Sequence, residues 1–302
     1  MLTIENNQYI IKKQSSTMGG LLFFEINRDE AKEMIIKNHY SHKWNTSFGK
    51  INIGVFKESE PKKCLGVASF GNMMNPQSYN SISNDINIEN IIELNRLWVD
   101  DCLGKNTETL LLSACWSIFR NKYPQIKVVQ SFADGRLGCG TIYKAASFKY
   151  YGYTESLFYE NLLTGETQHK VPMENTSRPQ GMTKLNKEFC EGILKPFKVK
   201  TYRYLFLLDK KVKIKLKELP YPEYSKGLVY LDDYQHNYKL IFRAWCLSYL
   251  LDKNEYCKVF EEYCKKHFNE DFILQAKTET KTNKSILDIC NKKNILEKLN
   301  IF

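Results

Sequence analysis

The chain has 302 residues, 43% hydrophobic and 13% aromatic, which excludes a disordered chain and leaves room for one catalytic domain with an appended segment. It has no apolar run of the about 18 residues that span a bilayer, and Met-Leu-Thr-Ile-Glu-Asn-Asn-Gln at its start shows no basic-then-apolar leader, so a cytosolic location is expected. A net charge of +10 with pI near 9.0 favours a polyanionic partner, and nine cysteines without C-x-x-C spacing read as reduced, mostly buried thiols.

In chain order, Asn27 and Glu30 make a capping-box-like start for a helix whose Ala31, Met34, Ile35 and Asn38 share a face. A polar loop, Asn38-His39-Tyr40-Ser41-His42-Lys43, leads to Ile51, Ile53 and Val55 in alternation, and a second strand from about Cys64 to Phe70 suggests a hairpin. Ile91 to Val99 is a strand by its density of β-formers, with Arg96 expected on the face of Leu94 and Trp98. A helix entered through Asn106-Thr107 carries Leu110, Leu111, Ala114, Cys115, Ile118 and Phe119 and stops at Pro124, before a strand from Ile126 to Ala133. Strand, helix, strand implies a parallel pair. Gly135, Gly138 and Gly140 then form a flexible loop into a short helix, Thr141 to Phe148, and an aromatic strand from about Tyr151 to Tyr159 follows. Thr164-Gly165 turns the chain. A long loop with Pro172, Pro179 and Gly181 precedes a strand from Lys198 to Leu208, and the chain from Asp232 onward reads as helices. These signals divide the chain into a catalytic domain, 1–225, and a helical extension, 226–302.

Charge is unevenly spread. Between Lys184 and Lys226 there are twelve Lys or Arg against five Asp or Glu, interleaved with Tyr202, Tyr204, Tyr221 and Tyr224. This suits phosphate contact with base stacking as well as it suits a solvated face. Asp134, at the C-terminal end of a parallel strand, and Tyr143, at the start of the next helix, could serve as base and acid, or could simply cap the loop and pack. Arg96 on an apolar face must meet an anion, either a carboxylate such as Glu93 or Asp134 or an anionic group of a ligand. Cys257, Cys264 and His267 make no strong metal motif.

The element order resembles a GNAT acyltransferase domain, an α/β fold with a mixed sheet flanked by helices, here with a helical C-terminal extension. Such a domain would hold an acyl donor at the loop before the Asn106-Thr107 helix, which points to Arg96, Gly104, Asn106 and Thr107 as donor-binding residues. That loop, Asp100 to Thr107, has one glycine and two acids, so an orthodox coenzyme A site is not assured.

Asn38-His39-Tyr40-Ser41, Glu93-Leu94-Asn95-Arg96-Leu97, Ser131-Phe132-Ala133-Asp134, Gly140-Thr141-Ile142-Tyr143 with Phe148 and Gly152, Tyr202-Arg203-Tyr204 and Pro220-Tyr221-Pro222 together resemble the phage Mom family, over roughly residues 22–222. The resemblance implies transfer of a small carbamoylmethyl-type group to N6 of adenine in double-stranded DNA, in the cytoplasm of a bacterial host, shielding phage DNA from restriction. It implies catalytic roles for His39, Tyr40, Arg96, Asp134 and Tyr143, an activated donor such as an acyl-CoA or an aminoacyl-tRNA, and raises a ferrous ion (Fe2+) on His39, Asp134 and Tyr143. Lys198, Lys200, Arg203, Lys210 and Lys211 would hold the DNA backbone. Tyr40, Trp44, Phe48 and Tyr143 are candidates to receive an extruded base. Two other functions remain open: an N-acyltransferase acting on a protein or small amine, and a DNA-binding protein without chemistry.

Overall fold

The computed structural model describes residues 1–5, 8–232, 234 and 238–268. The chain opens with three strands, β1 (Leu2–Glu5), β2 (Gln8–Ser15) and β3 (Gly19–Glu25), then α1 (Arg28–Asn38), β4 (Ile51–Lys57), β5 (Glu60–Gly71) and a short α2 (Tyr79–Ile82). Next come β6 (Ile91–Val99), α3 (Thr107–Lys122), β7 (Val128–Asp134), α4 (Thr141–Ala145) and β8 (Lys149–Asn161). The remainder is β9 (Thr167–His169), α5 (Val171–Glu174), α6 (Pro179–Cys190), β10 (Leu194–Leu207), β11 (Leu228–Tyr230), α7 (Tyr238–Leu250) and α8 (Asn254–His267).

Contacts divide the chain into two units, residues 1–154 with 200–227, and residues 155–199 with those from 228 onward. Residues 155–199 fall outside the first unit because Tyr159, Met173 and Met182 are buried with Trp245 and Phe260 of α7 and α8 in a core of their own.

In the first unit the strand order is β1-β2-β3-β4-β5-β6-β7-β10. The pairs are antiparallel except β6–β7, which is parallel as expected. The sheet is mixed and helices cover both faces, since successive residues of β5 part company: Val67 is buried with Ala31 and Ile35 of α1, Ala68 with Leu111, Ala114 and Ile118 of α3. Phe70 and Phe119 meet edge to face at 4.8 Å with no exposed surface, a burial that contributes about 2–3 kcal/mol per ring. α1 starts where the capping signal placed it, with the Asn27 side chain accepting from the Glu30 N–H at 2.8 Å.

β6 is irregular where it matters. Ser69 pairs with Arg96 but Phe70 pairs with Leu94, so Asn95 is an extra, bulged residue. A bulge reverses the alternation: Ile92 and Leu94 continue on the α3 face as Leu97 and Val99, while Trp98 packs on the α1 side. The expected common face for Leu94, Arg96 and Trp98 is thus broken between Leu94 and Arg96.

In the second unit, α6 stands where a loop was expected. Pro179 is its first residue, a position where the missing N–H costs no helical hydrogen bond, and Asn186 ties it to α5 by donating to the Met173 carbonyl at 2.9 Å.

Candidate active site

A cavity of about 630 Å³ opens in the first unit between β6 and β7. The parallel pairing runs from Ile91–Val128 to Leu94–Ser131 and stops there, where the Ser131 hydroxyl donates to the Leu94 carbonyl at 3.1 Å. Beyond that rung β6 pairs with β5, and β7 pairs with β10. Facing strand edges are left on either side of the gap, and the bulge at Asn95 is the physical reason the strands separate. Buried beside it, the Glu93 carboxylate accepts from the side-chain amides of Asn95 (3.1 Å) and Gln130 (3.2 Å). Burial raises its pKa in spite of those hydrogen bonds.

Asp134 ends β7 on the cavity wall. Arg136 grips its carboxylate, Nε lying 3.0 Å from both oxygens, and the Arg136 backbone N–H donates to Oδ1 at 3.0 Å. Burial alone would raise the carboxyl pKa, but the hydrogen bonds and charge of Arg136 outweigh it and hold Asp134 below the usual carboxylate range. The Tyr40 hydroxyl donates to Asp134 Oδ2 at 3.2 Å. Desolvation of that hydroxyl, with the neighbouring carboxylate, pushes the Tyr40 pKa well up, so the phenol stays protonated.

His39 is 7% exposed. Its Nδ1 lies 3.1 Å from the Ser41 backbone N–H and 2.8 Å from the Ser41 hydroxyl. A backbone N–H can only donate, so Nδ1 carries a lone pair and the neutral ring keeps its proton on Nε2. Burial, with the charges of Arg96 and His42, lowers the His39 pKa to about 4. At neutral pH the cavity therefore meets an uncharged imidazole whose remaining nitrogen is a donor.

Arg96 reaches the cavity from the bulge. Nε donates to the Lys43 carbonyl (3.2 Å) and Nη1 to the Asn95 carbonyl (2.7 Å), with the guanidinium 4.6 Å from the Phe48 ring centre. The expected carboxylate partners are engaged elsewhere, Glu93 with two amides and Asp134 with Arg136. Arg96 is thus a half-buried cation held by carbonyls and a ring face, and burial lowers its pKa. Tyr143 stacks on Tyr204 at 5.0 Å and directs its hydroxyl at the Phe132 carbonyl, 3.4 Å away. Gly140 takes φ +91°, where a Cβ would lie 2.9 Å from the Tyr143 ring.

Residues 20–223 match the family model of the Mom protein family, and that stretch contains every residue lining the cavity except Tyr224. The chain belongs to the Mom protein family. It is 33% identical over 203 residues to the methylcarbamoylase Mom of Escherichia phage Mu, a match spanning 64% of this chain and 80% of the phage Mu protein. Similar solved structures include Arabidopsis thaliana NAA60 in complex with acetyl-CoA, with 10% identity, TM-score 0.39, and 62% of this chain and 99% of that one covered. Another is FeeM, an N-acyl amino acid synthase from uncultured soil microbes, with 12% identity, TM-score 0.32, and 63% and 92% covered.

The cavity of this Mom-family protein brings together all five residues singled out as catalytic, His39, Tyr40, Arg96, Asp134 and Tyr143. It does not include the donor-loop residues Gly104, Asn106 and Thr107. The Thr107 hydroxyl donates to the Leu103 and Gly104 carbonyls (2.9 and 3.1 Å), and a Cβ at Gly104 would sit 2.7 Å from Thr17 Oγ1. With Asp100 and Asp101 in the turn that precedes α3 and Glu108 in its first turn, this end suits a pyrophosphate poorly. The ferrous donor set does not fit either. Nδ1 of His39 faces an N–H, which leaves its proton on the nitrogen a metal would need, while Asp134 is taken up by Arg136 and Tyr40. Among the described residues no group of three His, Cys, Asp or Glu could hold a metal ion.

The basic set is divided. Arg203 and Lys200 lie at the Asp134 end of β10, where Thr201 pairs with Asp134. Lys200 sits 4.5 Å from the Tyr153 ring and Arg203 5.6 Å from the Phe132 ring. Lys198 belongs to the second unit and pairs with Glu155 at 3.8 Å. Lys210 and Lys211 follow β10 at its other end, beyond Leu207, which lies six residues or about 20 Å along the strand from Thr201. Trp44 and Phe48 do not line the cavity: they pack edge to face beside α1, with Phe48 under Arg96. Arg136 was missed, although an arginine two residues after a strand-ending aspartate is a local pairing signal. Tyr224, which lines the cavity beside Gly138, was read only as part of the basic stretch.

Proposed function

We propose that the chain transfers a small carbamoylmethyl-type group from an activated donor to N6 of adenine in DNA. The observation that carries the proposal is the family match across the cavity-lining residues, with a relative named methylcarbamoylase. Adenine N6 is a weak nucleophile, since its lone pair is delocalised into the ring, and inside a duplex it is out of reach. An extruded base would enter between Tyr40 and Tyr143, past a rim whose Leu137, Ile142 and Tyr224 are exposed apolar side chains.

Two donors on the wall, Arg96 and Nε2–H of His39, suit the carbonyl oxygen of the incoming carboxamide and would orient the methylene carbon beside it toward N6. Tyr40 is fixed by donating to Asp134, so its oxygen lone pairs are left to accept from the amine. As the new bond to N6 forms, the nitrogen becomes acidic, and a weakly basic carboxylate then suffices: a proton passes from N6 to Tyr40 while the Tyr40 proton passes to Asp134. As the bond to N6 forms, the bond between the transferred carbon and the donor's carrier breaks, and the carrier departs with that electron pair. Nucleoside mass spectrometry of DNA from bacteria expressing the chain tests the proposal. A heavier deoxyadenosine, with an added mass that identifies the group, is expected; unmodified DNA together with modification of a protein or small amine in the same cells would assign a different acceptor.

A further inference from the structure

We infer that Leu137 is the wedge that takes an adenine's place in the duplex when the base is turned out into the cavity, an inference that rests on the DNA-base reading above. Leu137 ends the tight turn that begins at Asp134: its N–H donates to the Asp134 carbonyl at 2.9 Å. Such a turn keeps the two Cα atoms within about 7 Å of each other. Leu137 therefore stands on the cavity rim at a fixed distance from the carboxylate that takes the proton. The turn is pinned from several sides. The Gly135 N–H donates to the Lys200 carbonyl (2.8 Å) and the Gly227 N–H to the Gly135 carbonyl (2.8 Å), and a Cβ at Gly135 would collide with the Lys200 carbonyl. The Arg136 N–H closes the turn on the Asp134 carboxylate at 3.0 Å. The Tyr224 ring lies against Gly138, 3.1 Å from where a Cβ would be.

On this rigid support the Leu137 side chain is 57% exposed. A lone exposed leucine is ordinary on a protein surface. This one is held out at the mouth of a cavity, with the exposed Ile142 and Tyr224 on the same rim. Lys200 and the exposed Lys226 stand at the base of the turn, in reach of the phosphates of a duplex laid across it. Turning a base out of a duplex costs stacking and pairing energy. An apolar side chain driven into the gap restores contact with the neighbouring bases and with the thymine left behind. Because the turn is ordered before DNA arrives, little of that contact is lost to ordering a loop.

The test uses the full chain and duplexes of varied sequence in which 2-aminopurine, fluorescent when unstacked, replaces adenine. Saturating wild-type protein should raise the fluorescence. Leu137→Ala should melt with wild type, since the side chain is exposed, and should bind the same duplexes equally well in gel shifts. It should nevertheless lose most of the rise, and Leu137→Met should keep it. In cells, deoxyadenosine modification by Leu137→Ala should fall by about 10- to 100-fold, the scale set by an unstacked base left without a filler. With 2-aminopurine opposite a mismatched base, which costs less to unstack, the rise should return in Leu137→Ala; a residue that merely shapes the turn is not bypassed in this way. A rise of equal size in wild type and Leu137→Ala overturns the wedge and leaves the DNA-base reading standing. A wild type that binds duplex with no rise overturns the wedge together with duplex extrusion. A loss that the mismatch does not bypass, or that comes with a lower melting temperature, assigns Leu137 to the turn's structure and overturns the wedge as well. Failure of the reading itself shows separately, as unmodified deoxyadenosine in cells producing wild type.

Discussion

Lowering the pH from 7 to 5 should cost this protein stability through His39. Its folded pKa is held down to about 4 by burial and by Arg96 and His42, against about 6.5 in the unfolded chain. Between those values the unfolded chain binds more protons, so stability is present above pH 6.5 and is lost as pH falls toward 4. Full linkage over pH 7 to 5 amounts to about 2 kcal/mol, and solvent screening at the cavity wall reduces this to about 1 kcal/mol. Urea unfolding of wild type and His39→Gln at both pH values isolates the contribution, because every other titrating group is common to the two. Wild type should lose about 1 kcal/mol more than the variant between pH 7 and 5. An equal loss in both would mean that the ring titrates normally, and the neutral-donor role for His39 would be withdrawn.

Three further perturbations follow from the same geometry. Arg136→Met leaves a half-buried Asp134 carboxylate with one hydroxyl and one N–H, at a cost of about 1–3 kcal/mol at pH 7. Because the folded Asp134 pKa is depressed, that cost should fade below about pH 4 in the same unfolding assay, and persistence at low pH would point to lost packing instead. Gly140→Ala combines a strained positive φ with contacts of 2.8 Å to Tyr204 and 2.9 Å to Ala133; thermal melts should register about 2–4 kcal/mol, and a near-neutral result would contradict the close packing of Tyr143. Tyr40→Phe should lower modification by about 100-fold with DNA affinity in gel-shift titrations unchanged, since the substitution removes one hydroxyl and keeps the ring.

Much of the first unit was legible because single periodicities dominate it. Asn27 as a cap, the alternation of Ile51, Ile53 and Val55, and the spacing of Leu111, Ala114, Cys115 and Ile118 each depend on one local rule, and those elements lie within a few residues of their expected ends. β1 to β3 are not announced by a local rule: Leu21-Leu22-Phe23-Phe24 is an apolar run without alternation, and the capping signal at Asn27 is the first one that fixes where an element begins. α6 was concealed by Pro179 and Gly181, which signal a loop unless the proline occupies the first helical turn. The bulge could not be inferred from β6 alone: it is defined by how Ser69 and Phe70 pair across the strand, a tertiary fact. The resemblance motifs nominated the five catalytic candidates, but not the chemistry between them. That Asp134 is a gripped, weakly basic ion, and that His39 presents a donor, follows from Arg136 and from the Ser41 N–H.

The central claim is that the cavity between β6 and β7 modifies a DNA base. Its most direct test is nucleoside mass spectrometry of DNA from cells producing wild type, Tyr40→Phe or Arg96→Met at matched soluble levels. A heavier deoxyadenosine in wild type, strongly reduced in both variants while their DNA affinity holds, is the predicted result. Equal modification by all three proteins would contradict the assignment of the site.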